Sequence, residues 1–198
     1  MRPSARKTAS GGPDGRALRS ERSRQLIVDS MLELVTEGNL VPTAQQVAER
    51  AKVGIRTIFR HFPEMDSLYT STDERLRGTY ENLFLGGDRE GTLEERILHA
   101  VERHANAYEA VGPLLLSALV QHWKSEVIRK NYARNLRGLR KDLNAWLPEL
   151  EQLPASEREA VDAIASFETW HRLREHQNLG KQASIDIIVM LLSKLIAE

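Results

Sequence analysis

Apolar residues recur at spacings of three and four along most of the chain, which is the mark of helices that bury one face. Leu26, Ile27, Ser30, Met31, Leu34 and Val35 form the first such stripe and predict a helix over residues 20–37, with Ser20 as N-cap and Gly38 as a left-handed stop. Val47, Ala48 and Ala51 predict a short helix from Ala44 to Ala51, started by Pro42 and the N-cap Thr43. After Gly54 a second short helix runs to about Phe62, burying Ile58 and Phe62 and leaving Ile55, Arg56, Thr57, Arg60 and His61 outside. Leu68, Leu76, Tyr80, Leu83 and Phe84 mark a fourth helix over residues 64–85, broken by Gly86-Gly87-Asp88.

Beyond Thr92 the pattern is helical almost throughout. Ile97, Leu98, Val101, Ala105 and Tyr108 share a face between Leu93 and about Ala110, and Gly112-Pro113 is expected to open a new segment. That segment, LLLSALVQHW, is apolar nearly all round and belongs near a domain centre. Residues 124–147 carry Arg129, Lys130, Arg134, Arg137, Arg140 and Lys141. This run reads as a solvated face, because Glu126 and Asp142 flank it and no aromatic residue interleaves for base stacking. Pro148 and Pro154 bracket a loop. A helix over 156–176, with Ser156 and Glu159 as capping box, carries Val161, Ile164, Phe167, Trp170 and Leu173 at spacing three. A last helix over 182–197 carries Ile185, Ile188, Val189, Leu192, Leu195 and Ile196. The prediction is an all-α chain of about nine helices. It has a disordered basic arm over 1–19, a head over 20–68 and a larger helical body over 69–198.

Charge adds an asymmetry. Residues 1–62 hold 11 Lys/Arg and 6 Asp/Glu, and the remainder holds 17 and 22, so a basic end is joined to an acidic body of equal and opposite charge. Such a footprint suits an end that meets phosphate. The arm, with Arg19, Arg22 and Arg24 just beyond or at its edge, reads either as a solvated tail or as a DNA-contacting segment. The absence of cysteine removes disulfides and thiolate metal sites and fits a reducing compartment. No apolar run approaches the roughly 20 residues of a membrane span, and the basic N-terminus lacks the apolar core of a signal peptide, so a cytoplasmic protein is expected.

The stretch from Thr43 to Phe62 carries the chemistry. Two short helices joined by so tight a turn make a helix-turn-helix, whose second helix fits the major groove of double-stranded DNA. The stretch resembles the DNA-binding head of the TetR family of transcriptional regulators. Thr43, Val47, Ala48, Ala51, Val53, Thr57, Phe62 and Leu68 match the family's pattern in register without gaps, and Asp66 fills its acidic place. Ser166 to Leu179 also resembles family members of the S-x-E-x-W-x-x-L-R-x-x-Q-x-L type. The resemblance implies a homodimer joined through the last two helices, a palindromic DNA operator and a small-molecule effector bound in the body. Repression relieved by that effector is the outcome expected of the family.

In this reading Arg56 reads a base edge, with guanine as partner, and Gln45 meets a base or phosphate. Thr57, His61 and backbone N–H groups near Thr43 hold phosphates, with Lys52 beside them. Four positions depart from the family pattern. Lys52 stands where a glycine of positive φ is usual, and Gly54 replaces a serine N-cap. Phe59 and Met65 replace a tyrosine and a lysine that contact phosphate. Phe59 is therefore either part of the DNA face or part of the local core. Either DNA affinity is modest, or Arg56, Arg60, Lys52 and the arm make up the difference. The alternative is a helical small-molecule-binding or interaction protein whose head has lost DNA affinity.

No phosphate-binding glycine loop, nucleophile elbow or H-E-x-x-H motif occurs, so no catalytic activity and no cofactor are expected. His171 and Glu175 have i, i+4 spacing, but two ligands are too few for a metal. His104, Tyr108, His122, Trp123, Phe167 and Trp170 are candidate linings for the effector pocket, each with an alternative as plain core. The lack of a charged cluster among them suits an apolar or amphipathic molecule.

Overall fold

The computed structural model describes residues 13–196, and every regular element among them is helical. Helix α1 spans Pro13–Thr36. Of the segment expected as an arm over 1–19, residues 13–19 are instead the opening turns of α1, Ser20 lies inside the helix, and residues 1–12 lie outside the described residues. The sequence from Ala17 to Gln25 has no apolar stripe, but Ala17, Leu18, three arginines, Glu21 and Gln25 are good helix formers, and that intrinsic preference suits an exposed extension. The stripe proper buries Ile27, Val28, Met31 and Val35, while Leu26, expected inside, is 54% exposed. At the end of α1, Asn39 N–H donates to the Leu34 carbonyl and Gly38 N–H to that of Val35, both at 3.0 Å. Gly38 has φ +97°, so the pair is the left-handed stop that the sequence suggests.

Helices α2 (Ala44–Arg50) and α3 (Ile55–His61) pack beneath α1, and α4 (Met65–Phe84) follows. Val47, Ala48, Ile58, Phe62 and Leu68 join the α1 stripe in one buried cluster. A second, larger cluster fills the body, and α4 serves both: Leu68 lies in the first and Phe84 in the second.

The body is built around α5 (Leu93–Gln121), which packs on α9, α6 and α4. Its start is fixed by a capping box between Thr92 and Glu95. The expected break at Gly112-Pro113 does not occur, and Pro113 lies inside one 29-residue helix. Proline there removes one N–H, but Ile97, Val101, His104, Tyr108, Val111 and Leu115 keep one buried stripe running past it. Arg103 closes the end of α4 by donating to the carbonyls of Phe84 (3.1 Å), Asn82 (3.1 Å) and Leu85.

Helix α6 (Glu126–Trp146) is capped by Ser125, and a short 3₁₀ turn covers Pro148–Gln152. The helix expected over 156–176 is divided into α7 (Ala155–Ile164) and α8 (Phe167–His171), the latter continuing as a π-turn over Arg172–His176. Ser156 does not cap α7, because Pro154 holds that place. Instead the Ser166 hydroxyl accepts from Thr169 N–H at 3.2 Å and starts α8. The reason is periodicity. Residues spaced by three drift about 60° per step around a 3.6-residue helix, so a single helix cannot bury Val161, Phe167, Trp170 and Leu173 together. Restarting at Ser166 resets the face. Helix α9 (Lys181–Ile196) completes the chain.

Head and body are joined by a buried knot. The Gln121 amide nitrogen donates to the Leu40 carbonyl (2.9 Å), its oxygen accepts from the Tyr69 hydroxyl (2.8 Å), and Ser117 Oγ also donates to Leu40 (2.7 Å). Ser125 Oγ donates to Asp66 Oδ1 at 2.8 Å. No helix among the described residues is long and apolar enough to cross a membrane.

Candidate nucleic-acid interface

The second short helix is held by its apolar side and by the turn before it. Thr43 and Gln46 form a reciprocal cap at the head of α2: Gln46 N–H donates to Thr43 Oγ1 (3.2 Å), and Thr43 N–H donates to Gln46 Oε1 (2.9 Å). The chain leaves α2 through Lys52 at φ +54° and re-enters a helix at Gly54. Lys52 therefore occupies the left-handed place that its departure from glycine implied. Ile58 and Phe62, one turn apart, are buried under α1 and fix the rotation of α3.

That rotation presents Arg56, Phe59 and Arg60 to solvent. Their spacings of three and four place them on one face of α3. Phe59 is 48% exposed, so its reading as local core is set aside in favour of the outer face. Lys52, Arg56 and Arg60 form no ion pair among the described residues. Three other cations, Arg50, Arg24 and Arg75, are held internally. Arg50 makes a two-pronged contact with Glu37 (2.7 and 2.5 Å) and reaches Glu33 (3.3 Å), tying the end of α2 to α1. Arg24 donates to Ser71 Oγ (2.6 Å) with its guanidinium over the Phe62 ring (5.2 Å), so it braces α1 on α4 instead of reaching outward. Arg75 pairs with Asp29 at 3.3 Å.

The remaining candidates divide. Gln45 is exposed on α2 and donates to Glu49 at 2.8 Å, a surface contact that DNA can displace. Ile55 and Thr57 are half-buried, with Ile55 packed on the head core. Thr43 is engaged in the cap, which leaves its hydroxyl little freedom for phosphate. His61 is not on the open side. Its Nε2 is buried without a partner, and burial first, then the Arg60 and Arg24 cations, hold its pKa below the ordinary 6.5. A neutral, half-buried imidazole is a poor phosphate anchor.

The six expected pocket residues do not form a pocket. His104, Tyr108, Phe167 and Trp170 are buried in the body core, with the Tyr108 ring 5.5 Å from that of Phe167 and 6.0 Å from that of His104. The void beside His104, Tyr108 and Trp170 is about 10 Å³, room for one water at most. Tyr108 donates to the Ala165 carbonyl at 2.9 Å, and His104 faces the buried Asp142 at 3.5 Å. His122 Nδ1 lies 2.6 Å from the Leu119 carbonyl. Trp123 is 70% exposed, with the Lys124 ammonium 4.8 Å from its ring centroid. The alternative of plain core describes His104, Tyr108, Phe167 and Trp170 but not Trp123, and apolar character carried no information on where packing leaves space. A cleft lies instead between α4 and α6, measures about 320 Å³, and is walled by Tyr80, Phe84, Leu115 and Leu139. Tyr80 and Phe84 were legible as apolar markers of α4; nothing in the pattern announced the gap beside them.

The chain has the fold of TetR-type regulators: a helix-turn-helix head on a helical body. A transcriptional regulator from Rhodococcus sp. Rha1 superposes with TM-score 0.64 at 17% identity, covering 88% of this chain and 96% of that one. A tetR-family transcriptional regulator from Streptomyces coelicolor superposes with TM-score 0.66 at 19% identity, covering 89% and 81%. A further Streptomyces coelicolor A3(2) protein, described as a transcriptional regulator, gives 0.59 at 15% identity, covering 89% and 99%. No protein-family model and no curated protein matches the sequence.

Proposed function

We propose that the chain is a sequence-specific DNA-binding transcriptional regulator of the TetR family, working as a homodimer on a palindromic operator. The observation that carries this reading is the outer face of α3: Arg56, Phe59 and Arg60 together, exposed and with neither arginine in an ion pair among the described residues, opposite the buried Ile58 and Phe62. A major groove about 12 Å wide admits such a helix. Arg56 reads a guanine edge, Phe59 meets a thymine methyl or sugar, and Lys52 and Arg60 engage phosphates. Gln45 and Thr57 lie at the margin of this face. Pairing through α7 to α9 sets the distance between heads; Met190, 46% exposed on α9, with the half-buried Ile187 and Leu191 on the same side, supports an apolar contact there. A small molecule in the body shifts the dimer between two head separations, only one of which fits the operator, and so relieves repression. A DNA partner implies a cytoplasmic protein with no catalytic task.

Phe59 and Met65 favour a second reading. Met65 packs against the head core, so neither residue supplies a polar phosphate contact, and a head so altered suits a small-molecule-binding protein without DNA affinity. Fluorescence anisotropy on duplex DNA separates the two. The triple variant Lys52→Ala/Arg56→Ala/Arg60→Ala is expected to bind much more weakly, with the slope of log K on log salt reduced by about two to three. Equal affinity and slope in variant and wild type contradict the α3 face and favour the second reading.

A further inference from the structure

The cleft between α4 and α6 has the make-up of a binding site. Tyr80, Phe84, Leu115 and Leu139 give it apolar walls, and its volume of about 320 Å³ lies at the small end of the roughly 300–1,000 Å³ typical of ligand sites. Its polar groups include donors that other described residues leave free. The Tyr80 hydroxyl makes no hydrogen bond among the described residues, and burial holds its pKa above the ordinary 10, so it stays a phenol. The Asn135 side chain has only a long 3.4 Å contact, through its oxygen to Arg134, which leaves its NH₂ free. Asp73 is held tightly by Arg134 at 2.5 Å and only loosely by Arg77 at 3.9 Å. Arg77 therefore keeps donors in reserve at the mouth. Glu81 also lines the mouth, so the rim carries two cations and two anions and does not suit a polyanion.

We infer that this cleft binds a small molecule with a flat apolar body and one acceptor end, a carboxylate or carbonyl, directed at Arg77, Asn135 and Tyr80. Such a ligand lies against the C-terminal half of α4. The N-terminal half of the same helix carries Leu68 of the head core and Tyr69, bonded to Gln121. The Asp73–Arg134 pair spans α4 and α6 beside the cleft, and an acceptor at Arg77 competes only with the loose Arg77–Asp73 contact, leaving that pair in place. Naming the ligand as the effector rests on the regulator reading; the binding itself does not.

Gly138 on α6 provides a clean test. It lines the cleft, and a Cβ built there meets nothing within 4 Å, so the start of a larger side chain is accommodated and the rest of it takes up cleft volume. The probe is 1-anilinonaphthalene-8-sulfonate, an aromatic monoanion, titrated against the full chain by fluorescence. Wild type is expected to bind it saturably, one per chain. Gly138→Leu is expected to weaken binding at least tenfold without lowering the melting temperature, because leucine favours a helix more than glycine does. Arg77→Ala is expected to weaken it several-fold with the melting curve unchanged. Absence of saturable binding by the folded wild type, or equal binding by Gly138→Leu, overturns the assignment. The titration contains no DNA. Saturable, Gly138-sensitive binding in a protein that fails to bind DNA would retain the site and remove only the regulator reading.

Discussion

At the scale of single residues, orientation on α3 separates two roles. Arg56 faces outward, and in the proposed reading it contacts a base, so Arg56→Ala should cost about 1–3 kcal/mol in operator affinity and relax preference at one position per half-site. Arg60, one turn further on, is assigned to phosphate in the same proposal. Arg60→Ala should weaken binding to all sequences alike and lower the salt slope by about one. Competition binding against a set of single-base operator variants distinguishes the two patterns. His61 behaves differently because it is turned inward. Its folded pKa lies below 6.5, so the folded head resists the proton that the unfolded chain takes up. Its neutral form is fully present above about pH 6.5, and stability is lost as pH falls from there through the depressed folded pKa. Urea unfolding at about pH 7.5 and about pH 5.5 should show a smaller acid loss for His61→Asn than for wild type. An equal loss contradicts the burial of this ring. The sequence made the outer face of α3 legible because Ile58 and Phe62 dictate which side is in. It did not reveal that His61 bends back toward α1, nor that Trp123 lies in solvent, since one residue's polarity does not fix its direction at a helix end.

At the scale of elements, the sequence was readable wherever a local rule governs. The stop at Gly38, the cap at Thr43 and the left-handed turn at Lys52 all follow from chemistry within a few residues. Lys52 combines two opposed effects. Lys52→Gly relieves a left-handed side chain and should stabilise the head by up to about 1 kcal/mol, while removing a cation should weaken DNA binding. Thermal melting and anisotropy on the same variant should therefore move in opposite directions. Elements governed by distant packing were read less well. Pro113 continues α5 because the stripe on both sides of it is buried, and the 156–176 segment breaks because its stripe has the wrong period for one helix. The reversal after α4 is similarly tertiary. A Cβ on Gly87, at φ +104°, would stand 2.7 Å from the Trp146 ring. Gly87→Ala should destabilise the body by about 1–3 kcal/mol, measured by thermal or urea unfolding.

At the scale of the molecule, two cores share α4 and are pinned together by Gln121. This side chain is buried and bonded to Tyr69 on α4 and to the Leu40 carbonyl in the loop before α2. Gln121→Leu keeps bulk but strands the Tyr69 hydroxyl and leaves the Leu40 carbonyl to Ser117 alone, which should cost about 1–3 kcal/mol. Hydrogen exchange should then quicken in the 37–43 loop before it does in α5. Nothing in the pattern of apolar residues predicts such a polar knot, which depends on segments far apart in the chain meeting at a buried point.

The central claim is that α3 reads DNA sequence from each half of a symmetric dimer. Its most direct test is selection of bound duplexes from a random library by the full chain, repeated with Arg56→Ala. The account predicts a palindromic consensus with half-sites about one helical turn or a multiple of it apart, relaxed at one position per half in the variant. Failure to enrich any sequence at low salt, from a protein shown to be folded and dimeric, would contradict it.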